Sequence, residues 1–142
     1  NCFLQKYLHN SVSNNSGKLG VLLCFKVDKL NPEIEELSKN ISMHIAASDP
    51  KSLDIDSLDE SLISKEKDIY KEQLKSSGKP DEILDKIISG KITKYYEEVC
   101  LLEQFFVMDN KVKIKEIISN FNKKNNLNFV IESFFIYKLG SW

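Results

Sequence analysis

Apolar residues along this chain fall into two strand-like runs and several helical stripes. Leu19 to Val27 (LGVLLCFKV) is an almost unbroken run rich in branched side chains, which predicts a central strand. Leu127 to Leu139 (LNFVIESFFIYKL) predicts a second strand, long and aromatic. Phe3 to His9 is a shorter ordered segment ahead of Asn10–Lys18, whose Asn, Ser and Gly content reads as a flexible loop. Phe3–His9 and Leu19–Val27 can then close an antiparallel hairpin around that loop.

Between the strand runs the apolar period changes to three or four residues. Ile34, Leu37, Ile41 and Ile45 form one stripe, flanked by Ser38, Ser42 and Ala46. Asn31-Pro32-Glu33 opens this helix with a cap, a proline at its first position and an acid in its first turn. Asp49-Pro50 stops it after Ala47, and Lys51–Leu58 is a polar connector. From Asp59 to Lys75 the chain is dense in charge, with a narrow stripe at Leu62, Ile63, Ile69, Tyr70 and Leu74. Ser77-Gly78-Lys79-Pro80 ends that helix and starts another, which carries Ile83, Leu84, Ile87, Ile88, Ile92, Tyr95, Tyr96 and Val99. So short a turn predicts antiparallel neighbours sealed like a small coiled coil and projecting from the main body. Asn110 to Asn122 reads as one further helix, with Val112, Ile114, Ile117, Ile118 and Phe121 inward. The expected fold class is α+β: about three antiparallel strands covered by helices, with an inserted helical hairpin. Residues 1–58 and 97–142 would form the core, and residues 59–96 the hairpin.

Composition narrows the function. The net charge is −1, so there is no global basic field to draw nucleic acid or an anionic membrane. All 20 basic residues are lysine, and the chain lacks the guanidinium suited to bidentate phosphate or guanine recognition. No apolar run approaches membrane-spanning length. Cys2, Cys24 and Cys100 are odd in number and contain no C-x-x-C, which predicts packed thiols in a reducing, cytoplasmic setting. The start, Asn1-Cys2-Phe3, has neither Met nor a long apolar stretch; it is no signal peptide and suggests a piece of a longer protein.

Catalytic chemistry is poorly provided for. His9 and His44 are the two imidazoles, and neither sits in a catalytic motif. Gly17-Lys18 lacks the rest of a phosphate-binding loop. Glu97 and Glu98 are adjacent and point apart on a helix. Cys and His have no metal-ligand spacing, so neither a metal nor a cofactor is expected. Gly17-x-x-Gly20 within an α+β pattern keeps open an RNA-binding reading of the K-homology type, which the neutral charge and missing arginine weigh against. A structural or oligomerising piece stays open too.

The stretch Ile41-Ser42-Met43-His44-Ile45-Ala46-Ala47-Ser48-Asp49-Pro50 resembles the I-A-M-H-[IV]-A-A-S-x-P stretch of the elongation factor Ts family, with Ser42 for Ala. Lys94-Tyr95-Tyr96-Glu97-Glu98-Val99-Cys100-Leu101-Leu102-Glu103-Gln104-Phe105-Phe106-Val107 is similar to the family's K-[FY]-[FY]-x-E-V-x-L-x-x-Q-P-F-V, with Phe105 for Pro. Tyr7-x-His9, Gly17–Leu22 and Ser77-Gly78-Lys79-Pro80 match in family order, while Asn10–Ser16 is longer than usual. The resemblance implies the second half of a dimerisation core plus the coiled coil.

It also implies a function: a guanine nucleotide exchange factor that binds elongation factor Tu in its GDP state and loosens its Mg2+ and phosphate contacts. Such a factor acts by differential affinity for two states of its partner, without covalent chemistry, cofactor, nucleic acid or membrane. His9, Val107 and Met108 match family positions that touch the partner, and homodimerisation stays open. Phe106 is expected in the core and His44 as a satisfied buried histidine, with Cys24 and Cys100 as small packed residues. The Lys65–Lys75 run is expected to be a solvated face. The family's N-terminal helical module, its Thr-Asp-Phe-Val segment with the Phe wedge, and its C-terminal helix have no counterpart in these 142 residues. The stretch is therefore expected to grip its partner without prying at the nucleotide.

Overall fold

A computed structural model describes residues 2–9 and 18–139. The elements run β1 (Cys2–His9), β2 (Lys18–Lys26), α1 (Pro32–Ser48), α2 (Glu60–Leu74), α3 (Asp81–Val99), a 3-10 turn (Leu101–Glu103), β3 (Phe105–Phe106), β4 (Asp109–Lys113), α4 (Ile114–Asn125) and β5 (Val130–Leu139). The loop Asn10–Ser16 lies outside the described residues. The chain divides into two compact units: Asn1–Asp49 with Phe105–Trp142, and Pro50–Gln104.

In the first unit β2 is the central strand of an antiparallel sheet ordered β1-β2-β5, as the apolar run predicts. Only one side of β2 is sealed: Val21, Leu23 and Phe25 are buried, while Leu22 and Cys24 on the other side are half-buried. The stripe Ile34, Leu37, Ile41 and Ile45 of α1 is buried as expected. Asn31 caps α1, its Oδ1 accepting from Ile34 N–H at 2.8 Å. Ser38 and Ser42 are small enough to be buried with the stripe. Ser42 Oγ donates to the Ser38 carbonyl at 2.8 Å, and Ser38 Oγ meets Gln5 Oε1 of β1 at 3.1 Å. The core continues through Phe25 and Phe129, with ring centroids 4.9 Å apart. Asn122 of α4 clasps the Phe129 backbone, donating to its carbonyl at 3.0 Å and accepting from its N–H at 2.9 Å.

The opposite face of the sheet is lined by directly paired residues, Leu8–Gly20–Tyr137, Lys6–Leu22–Phe135 and Leu4–Cys24–Ser133. Leu4, Leu8, Phe135 and Tyr137 are exposed there. A register shift beside Cys24 leaves Glu132 unpaired in the ladder, and its carboxylate reaches Lys26 at 3.2 Å.

The helix expected over 110–122 starts later than its apolar pattern implies. Asp109–Lys113 is strand β4, paired with β3, and the helix begins at Ile114. Phe105 and Phe106 offer a β partner to the first residues, and Glu116 Oε2 accepts from Lys113 N–H at 3.4 Å, which fixes the first helical turn after Lys113. Val112 thus belongs to a strand, while Ile114, Ile117, Ile118 and Phe121 keep the helical stripe.

The second unit contains α2 and α3. Asp59 caps α2, its Oδ1 accepting from Ser61 N–H at 2.9 Å, and Gly78 between the helices has φ +71°, a left-handed conformation that favours glycine. Lys91 Nζ of α3 lies 5.3 Å from the Tyr70 ring centre of α2. Ile88 and Ile92 of α3 are buried, whereas no residue of α2 is. The base of the unit is tied by backbone bonds from Lys51 N–H to the Val99 carbonyl at 2.7 Å and from Leu101 N–H to the Ser52 carbonyl at 2.8 Å. Beside them Ser52 Oγ donates to Cys100 Sγ at 3.4 Å, and burial pushes the Cys100 thiol up.

Candidate partner-binding surface

Val107 and Met108 form the two-residue turn of the β3–β4 hairpin, closed by the pair Phe106 and Asp109. Two-residue hairpin turns favour Gly or Asn, because the turn types that suit strand twist need positive φ. Among the described residues, the non-glycine positions with positive φ are Asp49 and Asn126, so this turn does without that geometry. Its residues are apolar, yet Val107 is 47% and Met108 61% exposed. An apolar, glycine-free tip facing solvent breaks local preference, as docking surfaces often do.

The hairpin beneath is held firmly. Phe106 is buried and meets the ring of His44 edge-on, with centroids 5.9 Å apart. His44 on α1 is fully buried, and its Nδ1 accepts from Val107 N–H at 3.2 Å. On the other side, Phe105 is exposed with Lys113 Nζ 5.6 Å from its ring centre. Asp109 Oδ1 accepts from Lys111 N–H at 3.2 Å just past the turn.

Of the three residues predicted to touch a partner, Val107 and Met108 therefore share one exposed tip. His9 is the last residue of β1, paired with Leu19, and its side chain lies outside the described residues. Phe106 and His44 are buried as the sequence predicts. The bond from Val107 to His44 was not legible, because 63 residues separate its partners; the only local sign was a histidine on the buried stripe of α1. Among the described residues there is no group of three or more His, Cys, Asp or Glu placed to hold a metal ion, and no helix long and apolar enough to cross a membrane.

This is an α+β protein whose distinctive exposed feature is an apolar turn braced from within. Over residues 1–141 it matches the family model described as Elongation factor TS. It is 41% identical over 134 residues to "Elongation factor Ts" of Rhodospirillum centenum, covering 94% of this chain and 44% of that protein. It is 39% identical over 140 residues to the protein of the same name from Orientia tsutsugamushi, covering 99% and 45%, and 38% identical over 135 residues to that of Rickettsia bellii. The chain belongs to the elongation factor Ts family. It spans a little under half the length of the curated relatives it matches.

Proposed function

We propose that this chain is a partner-gripping part of a cytoplasmic guanine nucleotide exchange factor, which binds elongation factor Tu in its GDP form and promotes GDP release during translation elongation. Family membership supports this reading, and the observation that carries it is the braced, exposed Val107–Met108 turn. Val107, Met108 and His9 are the proposed contacts. Methionine suits such a role, since its flexible thioether adapts to an irregular partner surface. No covalent step is required of the factor: it favours the nucleotide-free state by binding it more tightly than the GDP state.

Residues 59–96 are proposed to form the antiparallel coiled-coil hairpin, with residues 1–58 and 97–142 as the core to which it belongs. The glycine turn at Gly78 and the Tyr70–Lys91 contact support the pairing of α2 with α3. The open sheet face with Leu4, Leu8, Phe135 and Tyr137 supports homodimerisation as a further property.

The test is the affinity of the full-length factor for elongation factor Tu·GDP. His9→Ala, Val107→Ala and Met108→Ala should each weaken binding, by about 1–2 kcal/mol for a side chain that anchors the interface, and leave the thermal midpoint unchanged. Unaltered affinity in all three would refute the assignment of this surface.

A further inference from the structure

We propose that His44 is a positioning residue, a neutral imidazole that fixes the Val107–Met108 turn in its docking conformation through the Val107 N–H. The inference deepens the exchange-factor reading and rests on it for its binding arm.

His44 is fully buried, and its Nδ1 accepts from Val107 N–H at 3.2 Å. An accepting Nδ1 carries no proton, so the neutral ring bears its hydrogen on Nε2. Phe106, immediately before the turn, presses edge-on against the same ring. One side chain thus holds the hairpin twice, by a hydrogen bond to its tip and by ring packing beneath it.

The need for such a brace follows from the turn itself. Val107-Met108 has neither the glycine nor the asparagine that would set a two-residue hairpin turn locally. β3 is two residues long, and its register with β4 shifts between Phe105 and Phe106, so the ladder offers little regular support. α1 is by contrast a rigid base, capped by Asn31 and buried along its stripe. Anchoring the tip to α1 orders Val107 and Met108 before a partner arrives. Preorganisation of this kind raises affinity by lowering the ordering cost of association.

Two substitutions separate the hydrogen bond from the packing. His44→Phe keeps a ring against Phe106 but has no acceptor. His44→Asn is smaller but offers Oδ1 close to the position of Nδ1. Each is made in the full-length factor and studied in two ways. The first is amide hydrogen exchange of Val107 in the free protein, with Leu23 and Phe25 of β2 as internal controls. The Val107 amide should exchange about tenfold faster in His44→Phe, the equivalent of one lost hydrogen bond, while the β2 amides keep their protection and His44→Asn stays near the unsubstituted protein. The second is affinity for elongation factor Tu·GDP, which should fall about tenfold in His44→Phe and recover in His44→Asn. Equal Val107 exchange in all three proteins overturns the proposal, whatever the partner does. Faster exchange with affinity unchanged retains the brace but overturns its role in docking. Failure of the unsubstituted factor to bind would refute the exchange-factor reading instead, leaving the exchange result to stand alone. Should both variants lose β2 protection, His44 is a packing residue of the core and the positioning role is refuted.

Discussion

At the scale of single residues, this molecule uses amides and hydroxyls to join elements that apolar packing alone would leave adjustable. Asn122 is the clearest case: both ends of its side-chain amide bind the Phe129 backbone, fixing where α4 hands over to β5. Phe129 is itself fully buried against Phe25. Asn122→Ala should therefore cost about 1–3 kcal/mol, since two hydrogen bonds go and a part-buried backbone is left to find new partners. Urea unfolding of the variant measures this, and a loss below about 0.5 kcal/mol would mean that the clasp is replaced by solvent. Gly78 is a second residue with a specific task. Space around it is open, so only its φ of +71° resists a side chain. Gly78→Ala should destabilise the second unit by about 1 kcal/mol through backbone strain alone, a shift readable in helical circular dichroism on heating.

Among the elements, α2 and α3 depend on a thin apolar seam with charge on both sides. Tyr70 and Tyr95 sit along it, and burial, followed by the Glu66 charge, holds both phenols above their usual 10.0. A raised folded-state value means that the stabilising contribution is complete below pH 10.0 and is lost as pH rises through the folded-state value. The helices of this unit should accordingly soften on the alkaline side, and a Tyr70→Phe, Tyr95→Phe double variant should lose most of that dependence. An identical alkaline melting profile in the double variant would count against this seam. The helices and long strands were legible because their periods are strong: α1 starts at Pro32 as read and runs one residue past Ala47, and β1 and β2 pair as the hairpin their two segments predict. The β3–β4 hairpin was not legible. Two strand residues and an apolar turn give no period, and the helical spacing of Val112 with Ile114 and Ile117 drew the helix start too early. The candidate site lies in this illegible stretch. Val107 and Met108 came from resemblance rather than pattern, and the His44 brace came only with the fold.

For the whole molecule, residues 1–142 are proposed to supply grip on elongation factor Tu without the element that pries at its nucleotide. The contacts proposed here are an apolar turn and a strand end, both suited to holding a protein surface. The resemblance places the prying Phe in a Thr-Asp-Phe-Val segment, which this stretch does not contain. Equal affinity for both states of a partner shifts nothing between them, so grip alone yields little exchange. Release of fluorescent GDP from elongation factor Tu, with residues 1–142 titrated against the full-length factor, tests this most directly. Weak binding by residues 1–142 and release close to the spontaneous rate are the expected result. Release near the rate given by the full-length factor would contradict it and place the exchange machinery within these residues.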